Sequence, residues 1–82
     1  MGMFTEMERA ELFQAIPLVM RTIQEDCTPE GFNIGVNDGA AAGQTIDHLH
    51  LHVTPRYGGD VPDPRGGIRW VVPERARYWK DE

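Results

Sequence analysis

Three histidines, His48, His50 and His52, alternate with Leu49, Leu51 and Val53, and the chain has no others. A spacing of two is the period of a β-strand, so the pattern predicts three imidazoles on one face and three aliphatic side chains on the other. Immediately upstream runs Asn37-Asp38-Gly39-Ala40-Ala41-Ala42-Gly43-Gln44-Thr45. Its backbone N–H groups, with the Gln44 and Thr45 side chains, can donate hydrogen bonds to an anion. Two chemistries suit such a set. Imidazoles on one face can share a transition-metal ion, but a closed site wants a fourth ligand. The one cysteine, Cys27, lies far upstream and has no CxxC or HxxxH partner. The other chemistry is nucleophilic: a histidine attacks a phosphate ester while N–H donors stabilise charge on the phosphate oxygens. One histidine on a strand would be an ordinary polar surface residue. Three in alternation are not.

The stretch GFNIGVNDGAAAGQTIDHLHLHVTPRYGGD resembles the second half of a histidine-triad (HIT) domain. That family's signature alternates three histidines with hydrophobic residues; here it reads His48-Leu49-His50-Leu51-His52-Val53-Thr54, with Thr54 a departure at the last place. Ala42-Gly43-Gln44-Thr45 before it and Pro55-Arg56 after it also match. The tail GDVPDPRGGIRWVVPERARYW is similar to the bacterial and archaeal branch described as diadenosine tetraphosphate hydrolase-like. The resemblance implies that His50 attacks an α-phosphorus and carries a transient nucleotidyl group. It implies that His48 and His52 hydrogen-bond the phosphate oxygens and the leaving group. Gln44, Thr45, Asn37 and the Gly43 backbone then form the phosphate-binding set. The implied activity is nucleotide phosphoanhydride hydrolysis or nucleotidyl transfer on a nucleotide or dinucleoside polyphosphate. Neither a cofactor nor a catalytic metal is expected, because an imidazole of ordinary acidity is largely neutral near pH 7. A complete HIT domain is longer, so the strands walling the nucleoside are expected to be missing. The alternative is therefore a non-catalytic remnant that self-associates and at most binds phosphate or nucleotide.

The elements that must hold this site are readable too. Thr5-Glu6-Met7-Glu8 has the capping-box pattern and predicts a helix start. Leu12, Ile16, Val19, Met20 and Ile23 follow at helical spacing and form one apolar stripe. Pro17 interrupts it, so a kink is expected near Ala15-Ile16. Residues 1–30 are thus a helical region. Residues 31–56 give a strand over Phe32 to Asn37, the loop 38–45 and the histidine strand. Phe32, Ile34 and Val36 share one face of the first strand, Asn33, Gly35 and Asn37 the other. Residues 57–82 give a Gly/Pro-rich loop, a short strand over Ile68–Val72 and a tail whose Trp70 and Trp79 should pack. The fold class is α+β: one kinked helix on a small antiparallel sheet, 1–82 forming one partial HIT-like domain.

Composition narrows the partners. Net charge is −5 over 82 residues. Residues 1–47 hold eight acids and two bases, residues 48–82 five acids and six bases, so the halves carry −6 and +1. Arg56, Arg65, Arg69, Arg75, Arg77 and Lys80 thus follow the histidines, where they favour a phosphorylated ligand or simply face water. No basic patch interleaved with aromatics suggests a nucleic-acid polymer. Neither a signal-peptide pattern nor a long apolar run is present, so membrane and secretion are not expected. A lone cysteine, read as a small buried apolar residue, suits the reducing cytoplasm. So short a chain with no disulfide is marginal alone, and a homodimer or larger homo-oligomer is expected.

Overall fold

The computed structural model describes residues 5–80. The outer ends of the helical region 1–30 and of the tail 57–82 lie outside them. Thr5 opens the first helix as expected: its hydroxyl accepts from the Glu8 N–H at 3.1 Å, and its own N–H donates to Glu8 Oε1 at 3.0 Å. Helix α1 (Glu6–Gln14) stops at Ala15 and helix α2 (Ile16–Asp26) begins there, with Pro17 in its first turn. A first turn has no intrahelical acceptor for its N–H groups, so proline is tolerated there while the helix breaks behind it.

Strands β1 (Gly31–Val36) and β2 (Leu51–Arg56) pair antiparallel, from Gly31 opposite Arg56 to Val36 opposite Leu51. The pairing puts Phe32, Ile34 and Val36 on one face with Leu51, Val53 and Pro55. Asn33 and Gly35 share the other face with Thr54 and His52. Helix α2 packs against β2. Along β2, half-buried Leu51 and Val53 alternate with exposed His52 and Thr54, which identifies the covered face. The architecture is α+β, a bent helix on a two-stranded sheet.

Four expectations need correcting. The histidine strand is shorter than its pattern: only His52 lies in β2, and His48 and His50 precede it in irregular backbone. Continuing the register would set His50 against Asn37 and His48 against Gly39. There the first strand has already ended, and Gly39, at φ 100°, leads into the 3₁₀ turn Ala40–Ala42. Residues Ile68–Val72 are not a strand either; Gly67–Val71 is a 3₁₀ helix. Positive φ at Gly66 and Gly67 turns the chain too tightly for a ladder. Cys27 is exposed rather than buried, since it caps α2 beyond the last apolar turn. The apolar stripe is covered only in part: Leu12, Ile16, Met20 and Ile23 are half-buried, while Val19 is exposed.

The tail is held by its own contacts. Trp70 Nε1–H donates to the Arg65 carbonyl at 2.8 Å, and the Arg65 guanidinium lies 4.5 Å from the centre of the half-buried Trp79 ring. Arg69 donates to the carbonyls of Ala76 and Arg75 at 2.9 and 2.8 Å. Among the described residues only Ala76 and Gln44 are buried, and the radius of gyration is 15.1 Å. A compact chain of this length would have roughly 12 Å. The arrangement is open. No described helix is long and apolar enough to cross a membrane.

At the end of β2 a polar clip fixes the outgoing chain. Arg56 grips Asp60 with Nε and Nη2, both at 2.8 Å, and donates through Nη1 to Asn33 Oδ1 across the ladder. The Tyr57 N–H adds a bond to Asp60 at 3.0 Å. The Arg56 guanidinium first, and this N–H second, hold the Asp60 carboxyl well below the usual carboxylate range. A carboxyl depressed on folding stabilises the fold above its unfolded value and loses that contribution as pH falls below it. Asp60→Asn should therefore lower the melting temperature at neutral pH, and the gap from wild type should narrow as pH falls below about 4. A gap that stays constant through this acid range in thermal melts would show that the clip adds no pH-dependent stability.

Candidate active site

The loop between the strands is built around one residue. Gly39 donates its N–H to Gln44 Oε1 at 2.8 Å, and its carbonyl accepts from the N–H groups of Ala42 and Gln44, each at 3.1 Å. Gly39 (φ 100°, ψ 156°) and Gly43 (φ 96°) adopt backbone conformations that side chains oppose. The Gly39 donor fixes which end of the Gln44 amide is oxygen, and so turns Nε2 the other way. That Nε2 is buried and has no protein acceptor, on a side chain whose residue is only 8% exposed.

Gln44 lines a cavity of about 210 Å³ together with Asn37, Gly43, Thr45, Ile46, His48, His50 and His52. The structure thus brings together every residue singled out from the sequence, although two histidines lie off the strand. All three histidine residues are exposed. The backbone bends at residues 46–48, yet His48 and His50 line the same cavity as His52, while Leu49 is half-buried. Ile46 was not foreseen. Its signal was available, since it stands two residues before His48 and shares the parity of the histidines.

The lining pairs neutral donors with imidazoles. None of Arg56, Arg65, Arg69, Arg75, Arg77 and Lys80 is part of it. Arg56, Arg65 and Arg69 instead serve Asp60, Asp63 and the tail carbonyls. Asp38, in the loop, meets Arg9 of α1 at 3.4 Å, an exposed pair of small energetic weight. Among the described residues, no group of three His, Cys, Asp or Glu side chains is disposed to hold a metal ion. Such a cavity can accept a phosphate from several donors and present an imidazole to its phosphorus.

The family profile of the HIT domain matches residues 2–59, and the chain belongs to that family. It is 46% identical over 58 residues to a Mycobacterium tuberculosis protein named AP-4-A phosphorylase, covering 70% of this chain and 30% of the relative. To Protein hit of Bacillus subtilis it is 40% identical over 55 residues, 67% of this chain and 38% of the relative. To the asymmetrical bis(5'-nucleosyl)-tetraphosphatase of Schizosaccharomyces pombe it is 38% identical over 59 residues, 72% of this chain and 32% of the relative. The chain spans about a third of the length of these relatives.

The loop geometry makes its own prediction. Gly39→Ala forces a side chain into a glycine-only conformation and should destabilise the protein by about 1–3 kcal/mol. Urea unfolding measures this; a loss within a few tenths of a kcal/mol would mean the loop relaxes without needing that backbone.

Proposed function

We propose that this chain is a nucleotide phosphoanhydride hydrolase or nucleotidyl transferase with His50 as nucleophile. The observation that carries the reading is the convergence of His48, His50 and His52 with the partnerless Gln44 Nε2 on one cavity. The names of the relatives, a phosphorylase and a tetraphosphatase of dinucleoside polyphosphates, support the substrate class.

In the first step an imidazole nitrogen of His50 forms a bond to the α-phosphorus as the bond from phosphorus to the bridging oxygen breaks. The departing polyphosphate takes the electron pair, and a proton from a flanking imidazole, His48 or His52. Water or another acceptor then attacks the phosphorus and gives its proton to that flanking imidazole, the phosphorus–nitrogen bond breaks with its electron pair returning to nitrogen, and His50 and its neighbour are both restored. Splitting one displacement into two easier ones is the gain of covalent catalysis. Gln44 Nε2, the Thr45 hydroxyl, the Asn37 amide and the Gly43 N–H are the donors that would meet the phosphate oxygens, fixed before the charge redistributes. No metal or cofactor enters this scheme.

Turnover of several adenine dinucleotides and phosphoramidates tests it. His50→Ala should lower the rate by about a thousandfold or more and abolish a nucleotidyl-protein adduct seen by mass spectrometry. His48→Ala and His52→Ala should cost less. Equal loss in all three, with activity removed by chelators and restored by zinc, would replace the nucleophile with a metal site. Binding of nucleotide without turnover would support the second reading, a non-catalytic binding domain.

We further propose that residues 1–82 act as one partial domain, in the cytoplasm, that pairs with another copy as a homodimer or larger assembly. Support comes from the scarcity of buried side chains beside exposed Met7, Leu18, Val71 and Tyr78, and from a two-stranded sheet open at both edges. Sedimentation at micromolar concentration should show a dimer or larger. A cooperatively melting monomer would refute this assembly.

A further inference from the structure

A second cavity, of about 310 Å³, adjoins the first and shares Asn37 and His52 with it. It lies on the polar face of the sheet, between Asn33 and Thr54 of the ladder and Ile68 of the 3₁₀ helix Gly67–Val71. That helix follows the end of the HIT match at residue 59 and is therefore not part of what the family profile covers.

The seat of Ile68 is specific. Gly35 faces His52 across the ladder, and Ile68 Cδ1 lies 3.0 Å from where a Cβ on Gly35 would stand. A side chain at position 35 would press on the end of Ile68, which would have to give by a few tenths of an ångström beside His52. The helix that carries it is anchored from behind by the Trp70 and Arg69 hydrogen bonds to Arg65, Ala76 and Arg75. Asn33 gives its Oδ1 to Arg56, which leaves Nδ2 on the Gly67 side as a donor. The lining thus holds the Asn33 and Asn37 amides, the Thr54 hydroxyl, the His52 imidazole and the aliphatic wall of Ile68, with no guanidinium or ammonium group. Amide and hydroxyl donors beside the aliphatic Ile68 wall suit a ribose and base.

We propose that this cavity receives the nucleoside of the departing half of a dinucleoside polyphosphate, with Ile68 and Thr54 determining how large a leaving group is accepted. The inference rests on the hydrolase reading above, which places the reacting phosphorus at His50 and the leaving group towards His52. It adds a place for the part of the substrate that carries no reacting atom.

The test compares two substrates on the 82-residue chain: a dinucleoside tetraphosphate, whose leaving group is large, and an adenosine phosphoramidate, whose leaving group is ammonia. Ile68→Trp, which fills the cavity, and Thr54→Val, which removes the hydroxyl at constant shape, should each lower the ratio of the two kcat/KM values by about tenfold. In parallel, calorimetry measures the Kd of a methylene-bridged dinucleoside tetraphosphate against that of AMP, and the same ratio should move without any turnover. Retained circular dichroism and melting temperature in Thr54→Val guard against a folding defect in the bulkier variant. If both ratios stay at the wild-type value while nucleotides still bind, the subsite is refuted and the hydrolase reading stands. If the wild type binds neither the analogue nor AMP, both fall together.

Discussion

The register of β1 against β2 is the constraint on which the other features depend. Gly31 opposite Arg56 and Val36 opposite Leu51 fix the parity of every side chain between them. A slip of one residue would carry His52 and Thr54 to the helix side and expose Leu51 and Val53. The same pairing sets Gly35 opposite His52, which opens the rung that Ile68 occupies. It also ends at Val36, so the chain is released into its loop at Asn37, one residue before the acidic and glycine-bearing turn. The cavity begins where the ladder stops: His52 is held by it, while His50 and His48 are placed by the returning loop.

What holds that ladder is thin. The apolar face is covered by α2, but half-buried residues do most of the covering. Such partial burial removes only part of the apolar area from water, and stabilisation scales with that area. The polar ties around β2 compensate in geometry more than in energy. Arg56 joins Asp60 to Asn33, and Gly58 donates to Glu30 at 2.7 Å, so both ends of the 57–60 turn are fastened to the sheet. Exposed ion pairs and hydrogen bonds of this kind contribute little each, but they restrict where the outgoing chain can go. That restriction directs residues 64–71 back across the polar face instead of into solvent.

Much of this was legible because the deciding signals are local. Thr5 with Glu8 specifies a helix start, and Pro17 specifies where the helix breaks. Alternation in Phe32–Val36 and in Leu49–Val53 gives the two apolar half-faces. That seven residues, Asn37, Gly43, Gln44, Thr45, His48, His50 and His52, share one cavity was legible for the same reason: they sit close in sequence, on one loop and the strand segments beside it. The misreadings share a different cause. Whether His48 and His50 belong to a strand depends on a partner backbone, and Gly39 removes that partner by turning away. Ile68-Arg69-Trp70-Val71-Val72 has strand-like composition, yet the two positive-φ glycines before it and the Arg69 bonds to later carbonyls wind it into a 3₁₀ helix. Cys27 looked apolar by type, but its exposure is set by how little chain packs over the end of α2. In each case tertiary context outweighed local propensity.

Gln44 shows why the loop takes its form. A buried amide donor without an acceptor costs on the order of 1–3 kcal/mol, and an apolar residue of similar shape would avoid that cost. Two glycines at positive φ, conformations open to glycine but opposed by side chains, flank the same turn. A chain with so small a buried interior gains nothing in stability from this arrangement. The arrangement makes sense if an acceptor arrives from outside, because the donor is then oriented and dehydrated before the acceptor binds. The Gly39 N–H enforces that orientation because it can donate only to the oxygen end of the amide. A water-bound, rotating glutamine would instead have to reorganise at the moment charge develops. The loop therefore trades fold stability for a fixed donor beside the histidines, which is the pattern expected where local rules yield to chemistry.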